Sequence, residues 1–172
     1  MFLLLCAAAV AAQLAGVTVP DTATVGGQSV VLNGMGLREK YYIDVYIGAL
    51  YLSKKTSSAS EAVSSDTAKR IAMHFIYEKV AASQLTVTLR EGFAHAPAAP
   101  AGSLDQLCSY MADVKAGDVV AFDYAPGTGT TVTVKGKTKG TIPGKDFMVA
   151  LWSVFLGTSP PTARLKAGML GG

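Results

Sequence analysis

Hydrophobic and polar positions in the first third of the chain follow the two-residue period of β-strands. Residues 28–33 alternate with β-branched side chains and predict a strand, after a small and polar lead-in over residues 13–26. Gly34 and Gly36 predict turns, and a long strand is predicted beyond them over residues 37–52. This part of the chain is therefore expected to form a sheet.

The predicted strand over residues 37–52 has two different faces. One face is apolar and consists of Tyr41, Ile43, Val45, Ile47, Ala49 and Tyr51. The other face is mixed and consists of Arg38, Lys40, Tyr42, Asp44, Tyr46 and Gly48. Because strand side chains alternate between the two faces, this pattern predicts core on one side of the sheet and a polar cleft or solvent on the other.

Helical spacing of apolar residues becomes common after residue 57. A short helix is predicted over residues 58–65, because Ser58 is a good cap and Glu61 follows three residues later. Further helices are predicted over residues 80–94, 103–113, 145–156 and 160–170, and further strands over residues 68–77, 118–124 and 130–135. Strands and helices do not alternate as in βαβ units, so the prediction is an α+β fold with a large, mainly antiparallel sheet and a layer of helices on one face.

The first twelve residues, MFLLLCAAAVAA, are typical of an export signal. They contain an apolar run followed by small residues that suit a signal peptidase, which predicts cleavage near Ala11 or Ala12 and a domain over residues 13–172. The run is too short for a membrane span, which needs about 20 apolar residues. A basic residue normally precedes such a run, so two alternatives stay open: the start lies downstream of the true one, or the segment is a buried strand. Leu5 disfavours a lipoprotein site at Cys6. The expected location is exported and periplasmic.

Composition and charge exclude several classes of function. The chain has 172 residues and a formal charge of +3, and its 15 basic and 12 acidic residues are spread along it, so no stripe predicts nucleic-acid binding. Cleavage of the signal would leave Cys108 as the single cysteine, which excludes an intramolecular disulfide.

Motifs that carry catalysis or hold a cofactor are absent. The chain has no CxxC, HExxH, GxSxG or P-loop pattern, so neither a metal site nor a cofactor is predicted. The glycines of Gly34-Met35-Gly36 match only part of a dinucleotide motif and open a strand rather than a helix. His74 lies within a strand, and His95 lies in an Ala/Pro loop. The pattern alone thus predicts an exported α+β domain without a defined chemistry.

Three segments resemble the chalcone isomerase-like superfamily in the right order. They are GMGLREK followed by VYIGALYL, the central EKV at residues 78–80, and the closing stretch LWSVFLGTSPPTARLKAGMLG. The resemblance covers about residues 24–171 and is closest to bacterial exported members. It implies an open-faced β-sandwich with a ligand cleft between the sheet and the helices. The superfamily includes plant enzymes that cyclise chalcones, plant relatives that bind fatty acids, and bacterial proteins of undefined role.

The resemblance also implies candidate site residues. Arg38 matches an arginine kept by the enzymes and by the fatty-acid binders, and Tyr46 matches a tyrosine of the fatty-acid binders where the enzymes have threonine. The enzymes' cleft tyrosine corresponds to Ile76 or Tyr77.

Two further positions depart from the enzyme pattern. Ser83 stands where the enzymes have asparagine, and Val154 stands where they have a hydroxyl. Each donor lost from such a site commonly costs about 3–4 kcal/mol of transition-state stabilisation, so no catalytic residue is predicted.

Strand geometry leaves the partner of Arg38 open. Eight residues of straight strand span about 27 Å, so Arg38 and Tyr46 can share one carboxylate only if the chain folds back between them. On a continuous strand, Arg38 would act with Tyr42 or with a tyrosine of another element. Alternatively, Asp44, Asp118 or backbone carbonyls satisfy the arginine and the tyrosines only stabilise the sheet.

The sequence therefore predicts a non-catalytic protein that binds a small amphipathic anion such as a fatty acid. The candidate ligand-binding residues are Arg38, Tyr46, Tyr42, Tyr77, Ser83 and Val154. The first alternative is an intramolecular lyase of the chalcone isomerase type. The second is a structural or partner-binding periplasmic protein that takes no small ligand.

Overall fold

A seven-stranded antiparallel sheet organises residues 10–172, the part of the chain that the computed structural model of the protein describes. Its strands, in spatial order, are β3 (Thr22–Val25), β4 (Gln28–Lys40), β5 (Ile43–Leu52), β6 (Lys69–Phe75), β7 (Val119–Ala125), β8 (Gly129–Val134) and β9 (Lys137–Ile142). Spatial order equals chain order, so each strand pairs with the next one along the chain. A separate hairpin is formed by β1 (Ala11–Leu14) and β2 (Val17–Pro20).

Residues 1–9 of the predicted export signal lie outside the described residues. Ala11 and Ala12, near which cleavage is predicted, lie in β1 and pair with Pro20 and Val19. The export signal stays a prediction.

Five helices pack around this sheet in residues 10–172. They are α1 (Ala59–Ser64), α2 (Ala82–Ala94), α3 (Ser103–Ser109), α4 (Lys145–Leu156) and α5 (Ala163–Met169). The almost wholly apolar α4 is buried at the centre of the large core, where Trp152 and Phe147 have no exposed surface. A smaller core on the β1–β2 side contains Val30, Ala49 and Tyr51. The predicted α+β fold, with a large antiparallel sheet and a helical layer, is confirmed.

The continuous strand predicted over residues 37–52 is wrong, because the chain folds back at Tyr41 and Tyr42. Lys40 pairs with Ile43, and the two tyrosines between them have φ of 51° and 65°. Positive φ at both central positions is the geometry of a type I′ hairpin turn, which matches the twist of the flanking strands. Asparagine and glycine usually occupy these positions, so the sequence KYYI gave no indication of a turn.

The turn predicted at Gly34 and Gly36 is also wrong. Both glycines lie inside β4, where a Cβ at Gly34 would collide with the carbonyl oxygen of Gly168 and one at Gly36 with that of Leu165. They are needed because α5 packs its backbone directly on the strand, which is a second reason for glycine in a strand besides a turn.

Other local predictions are confirmed. The Ser58 hydroxyl caps α1 by accepting a hydrogen bond from the backbone N–H of Glu61. The buried helix over residues 145–156 and the hairpin made by β7 and β8 are present. Strand β9 was not predicted, because its segment KTKGTI is mostly polar and exposed. Lysines on such an edge strand discourage pairing with another chain.

Candidate ligand-binding site

A cavity of about 360 Å³ lies between the sheet and the helices, beside the turn end of the β4–β5 hairpin. Its inner wall is made of buried aromatic side chains, among them Phe75, Phe122 and Phe155. Helix α2 contributes Leu85 and Leu89, which lie one turn apart and face the core. The volume is within the range of about 300–1,000 Å³ that is usual for small-molecule sites.

The hairpin brings Arg38 and Tyr46 directly opposite each other in the sheet. Cβ atoms of directly opposite residues lie about 4.5–5.5 Å apart, so both side chains reach the same part of the cavity. On a straight strand Arg38 and Tyr46 would lie about 27 Å apart, at about 3.4 Å per residue. The turn at residues 41–42 brings them together instead.

A β-bulge next to this pair directs a further side chain into the cavity. Arg38 pairs with Tyr46 while Glu39 pairs with Asp44, so Val45 is the extra residue on β5. The Val45 carbonyl accepts hydrogen bonds from the backbone N–H groups of Ile76 and Tyr77, at 3.0 and 3.2 Å. Bulges of this kind re-aim side chains near binding sites, and here Val45 and Tyr46 both line the cavity although they are consecutive.

Arg38 is half-buried and has no carboxylate partner among residues 10–172. Its one protein acceptor there is the backbone carbonyl of Glu39. Asp44 and Asp118, the acids considered as partners, do not pair with it, and Asp118 lies near Lys135 instead. Since a guanidinium has five N–H donors, most of them remain available to a ligand.

The Tyr46 hydroxyl is the second unused polar group. The side chain is 5% exposed and its ring packs against Phe75 with the centroids 5.5 Å apart. None of the hydrogen bonds within the described residues involves this hydroxyl. Burial raises the pKa of Tyr46 above its usual value, although the nearby Arg38 cation opposes the rise. The group therefore stays protonated at physiological pH and acts as a neutral donor.

Charges on the cavity lining have one sign only. Arg38, Lys40 and Lys79 line it, and no aspartate or glutamate among residues 10–172 does. A low-polarity hollow with cations at its opening attracts anions and disfavours cations. This arrangement suits a ligand with an anionic head group and an apolar body.

The structure brings together four of the six predicted site residues. Arg38, Tyr46, Tyr77 and Val154 line the cavity. Val154 is held there by close packing of α4 against α2, since a Cβ at Gly92 would lie 2.5 Å from the Val154 Cγ1.

The remaining two predicted residues lie outside the cavity. Tyr42 is at the tip of the hairpin and fully exposed, because the turn points it away from the lining. Ser83 is exposed in the first turn of α2, one residue before the lining position Gln84.

Sequence reasoning missed the polar residues that α2 contributes. Gln84 and Thr88 line the cavity, and each immediately precedes one of the inward leucines Leu85 and Leu89. The helical period over residues 80–94 could have identified them, because it fixes which positions border the buried stripe. Lys40 and Lys79 could not be identified in this way, since charged residues at strand ends and in connecting segments are common.

Neither a metal site nor a membrane-crossing helix is present in the described part of the chain. No three His, Cys, Asp or Glu side chains within residues 10–172 are grouped so that they could hold an ion. None of the helices there has the length and apolar character needed to cross a bilayer.

Comparisons with known proteins support the fold. Residues 11–171 match the family described as chalcone isomerase-like. A crystal structure of a fatty-acid binding protein from Arabidopsis thaliana superimposes with a TM-score of 0.74 and 17% sequence identity, covering 95% of this chain and 96% of that one. No curated protein matches the sequence.

Proposed function

The chain belongs to the chalcone isomerase-like family, and we propose that it is a non-catalytic member that binds a small amphipathic anion, such as a fatty acid. The observation that carries this proposal is the half-buried Arg38, which lies opposite the buried Tyr46 in the cavity. Within residues 10–172 it has no carboxylate partner, and no acidic side chain lines the cavity.

The head group of such a ligand meets complementary donors. A carboxylate accepts two parallel hydrogen bonds from the Arg38 guanidinium, and the Tyr46 hydroxyl donates a third. Hydrogen bonds to charged groups contribute about 1.5–3 kcal/mol each, and more reliably where water is excluded. Both donors lack a competing acid within residues 10–172, so the ligand does not have to displace one.

The apolar body of the ligand supplies the rest of the affinity. Val154, Phe155 and the inner aromatic wall offer surface against which methylenes are buried. Each buried methylene contributes about 0.8 kcal/mol, so ten contribute about 8 kcal/mol before the loss of ligand and side-chain freedom is subtracted.

The Arabidopsis protein supports this choice by its name and its fold. It is a fatty-acid binding protein, and the two chains superimpose over nearly their whole lengths. At 17% identity the likeness concerns the fold alone, so the argument for a ligand depends on the charges and burial in this cavity.

Catalysis of the chalcone isomerase type is disfavoured by the same groups. Burial raises the pKa of Tyr46, so almost no phenolate is present at physiological pH to act as a base, and Val154 provides no hydroxyl at the helical position that the enzymes use. We therefore treat cyclisation as an outcome to be tested rather than as a second function.

Binding of dodecanoate by purified protein, followed by isothermal titration calorimetry, tests the proposal. We expect Arg38→Ala to weaken binding by about 10–100-fold, because a charge-assisted pair is lost from a largely dry site. Arg90→Ala is the matched control, since Arg90 has the same charge but pairs with Asp105 on the outer surface at 2.8 Å. It is expected to bind like the wild type.

Three results would contradict the proposal. Equal affinity of wild type and Arg38→Ala would remove the arginine from the site. Absence of lipid in organic extracts of the wild-type protein, together with no dodecanoate binding, would favour a structural or partner-binding role. Turnover of a chalcone above the spontaneous rate that vanishes in Arg38→Ala would favour an intramolecular lyase.

A further inference from the structure

Exposed hydrophobic side chains are concentrated around the opening of the cavity. Tyr41, Tyr42 and Ile43 at the β4–β5 turn are 85%, 102% and 44% exposed, and the neighbouring Tyr77 is 38% exposed. Tyr41, Ile43 and Tyr77 also line the cavity. Away from this group, the large hydrophobic residues exposed within residues 10–172 are Val10 and Val87.

The turn that presents two of these rings is unfavourable for a tyrosine. Two-residue turns with positive φ at both positions also occur at Ala15–Gly16, Gly26–Gly27 and Lys135–Gly136, and each of these has glycine second. Tyr41–Tyr42 is the one such turn in residues 10–172 without a glycine. Residues with a Cβ are strained in this region of φ, and strain of this kind is concentrated at functional positions.

The chemistry of this group matches the boundary of a lipid bilayer. Tyrosine places its ring among acyl chains and its hydroxyl among head groups, and lysine extends an apolar stem below its charge. Lys40 lies over the Tyr41 ring, with its Nζ 5.8 Å from the centroid, and Lys79 also lines the cavity.

Four acidic groups lie near the opening, and two of them have a cationic partner. Glu39 pairs with Arg164, and Asp113 lies 3.8 Å from Lys79. Asp44 and Glu78 are exposed beside the opening but do not line it. Among residues 10–172, the charged side chains that line the cavity are all cations, and this charge favours anionic over zwitterionic lipid.

We propose that the tip of the β4–β5 hairpin, residues 40–43, docks together with Tyr77 on the surface of a bilayer that contains anionic lipid. The inference rests on the proposed function, because an amphipathic acid is stored in bilayers and the docked tip places the cavity opening against its source. The cavity then exchanges ligand with the bilayer without releasing its acyl chain into water.

Co-sedimentation with vesicles tests this docking. The probes are phosphatidylcholine vesicles with and without phosphatidylglycerol, and the variant is Tyr42→Gly, which removes a ring outside the cavity and improves the turn. We expect wild type to bind the anionic vesicles more strongly than the zwitterionic ones. Tyr42→Gly is expected to lose about fivefold in partitioning, the change that corresponds to one partly buried aromatic ring.

Two controls separate docking from general stickiness and from misfolding. Val87→Ser removes an exposed apolar side chain that does not line the cavity, and it is expected to leave vesicle binding unchanged. Tyr42→Gly is expected to bind dodecanoate in solution as the wild type does, because Tyr42 lies outside the cavity.

The possible failures are distinguishable. Docking is overturned if the wild type does not sediment with anionic vesicles, or if Val87→Ser loses as much binding as Tyr42→Gly. Dodecanoate binding that persists in that case leaves the proposed function intact. If the wild type itself does not bind dodecanoate, the proposed function is overturned instead.

Discussion

At the scale of one residue, Tyr46 is buried as a whole, and its hydroxyl has no hydrogen-bond partner within residues 10–172. Removing it in Tyr46→Phe leaves no protein group unsatisfied, so we expect the free energy of unfolding of the ligand-free protein to change by less than about 0.5 kcal/mol. Affinity for dodecanoate is expected to fall about tenfold, because the ligand loses one hydrogen bond to its charged head group.

Urea denaturation and calorimetry measure these two quantities separately. A variant that loses stability and keeps its affinity would mean that the hydroxyl serves the protein rather than a ligand.

A second residue-scale prediction concerns Lys69, which has no exposed surface. Its ammonium donates to the carbonyls of Ala62 and Val63 and to the Ser65 hydroxyl, at 2.9, 3.0 and 3.3 Å, so it caps the end of α1. Burial, with a contribution from the positive charge of Lys145, lowers the pKa of Lys69 from 10.5 to about 7.

The lowered pKa of Lys69 determines whether the stability of the fold rises or falls with pH. Between about pH 7 and pH 10.5 the unfolded chain binds more protons at Lys69 than the folded one, so stability rises with pH in this window. The slope is at most about 1.4 kcal/mol per pH unit. We expect the wild type to gain stability relative to Lys69→Met between pH 7 and pH 9.5 in urea denaturation. A difference between the two proteins that does not vary with pH would place the pKa near its ordinary value.

At the scale of the element, the β4–β5 turn is predicted to be a weak point of the fold. Replacing Tyr41 and Tyr42 by asparagine and glycine supplies the residues that a type I′ turn prefers. We expect the free energy of unfolding to rise by about 1–2 kcal/mol, since strain at two residues with positive φ is relieved. The control is Lys135→Asn in the turn that already has Gly136, where a much smaller gain is expected. Destabilisation by the double change would mean that the exposed rings support the hairpin.

The contact between α5 and β4 gives another element-scale prediction. Gly36→Ala places a methyl group against the carbonyl of Leu165, and backbone cannot move aside as a side chain does. Overpacking of this kind costs about 1–3 kcal/mol, so we expect a clearly lowered melting temperature. Ser29→Ala, at an exposed position of the same strand, is the control and is expected to melt near the wild-type temperature. An unchanged melting temperature for Gly36→Ala would show that α5 packs loosely.

Elements were predictable from the sequence where one physical cause dominated. The apolar length of residues 145–156 and the Ser58 cap required no tertiary information. Gly34, Gly36 and Tyr41–Tyr42 misled for opposite reasons: the glycines serve helix packing rather than a turn, and a turn lacks the glycine that normally marks it. The first cause is a contact between distant parts of the chain and the second is a local backbone conformation, and hydrophobic periodicity reports neither.

The same limit applied to the site. The resemblance brought Arg38 and Tyr46 together as candidates, and the hairpin places them opposite each other. Without the turn their distance could not be reconciled with one ligand. Ser83 lies one residue before the lining position Gln84. One residue corresponds to a rotation of about 100° around the helix axis, so the side chain lies outside the cavity.

At the scale of the whole molecule, the cavity lies between the sheet and the helical layer and is lined by both. A ligand seated there contacts β4, β5 and the helices α2 and α4 at once, so it binds the folded state and not the unfolded chain. Ligand at about 100 times its dissociation constant then stabilises the fold by about 2.7 kcal/mol. For a domain of this size we expect the melting temperature to rise by about 5–10 °C with dodecanoate.

The rise in melting temperature is expected to depend both on Arg38 and on the charged head group of the ligand. Arg90→Ala should show the full shift and Arg38→Ala a much smaller one, because only Arg38 lies in the cavity. Dodecanol, which has the same chain without the charge, should stabilise the wild type and Arg38→Ala by similar, small amounts. If dodecanoate and dodecanol shift the wild type equally, the cavity recognises apolar surface alone and the cations around it have another purpose. If neither compound shifts the melting temperature, the cavity between the sheet and the helices does not bind such ligands. The function of the protein would then depend on its surface.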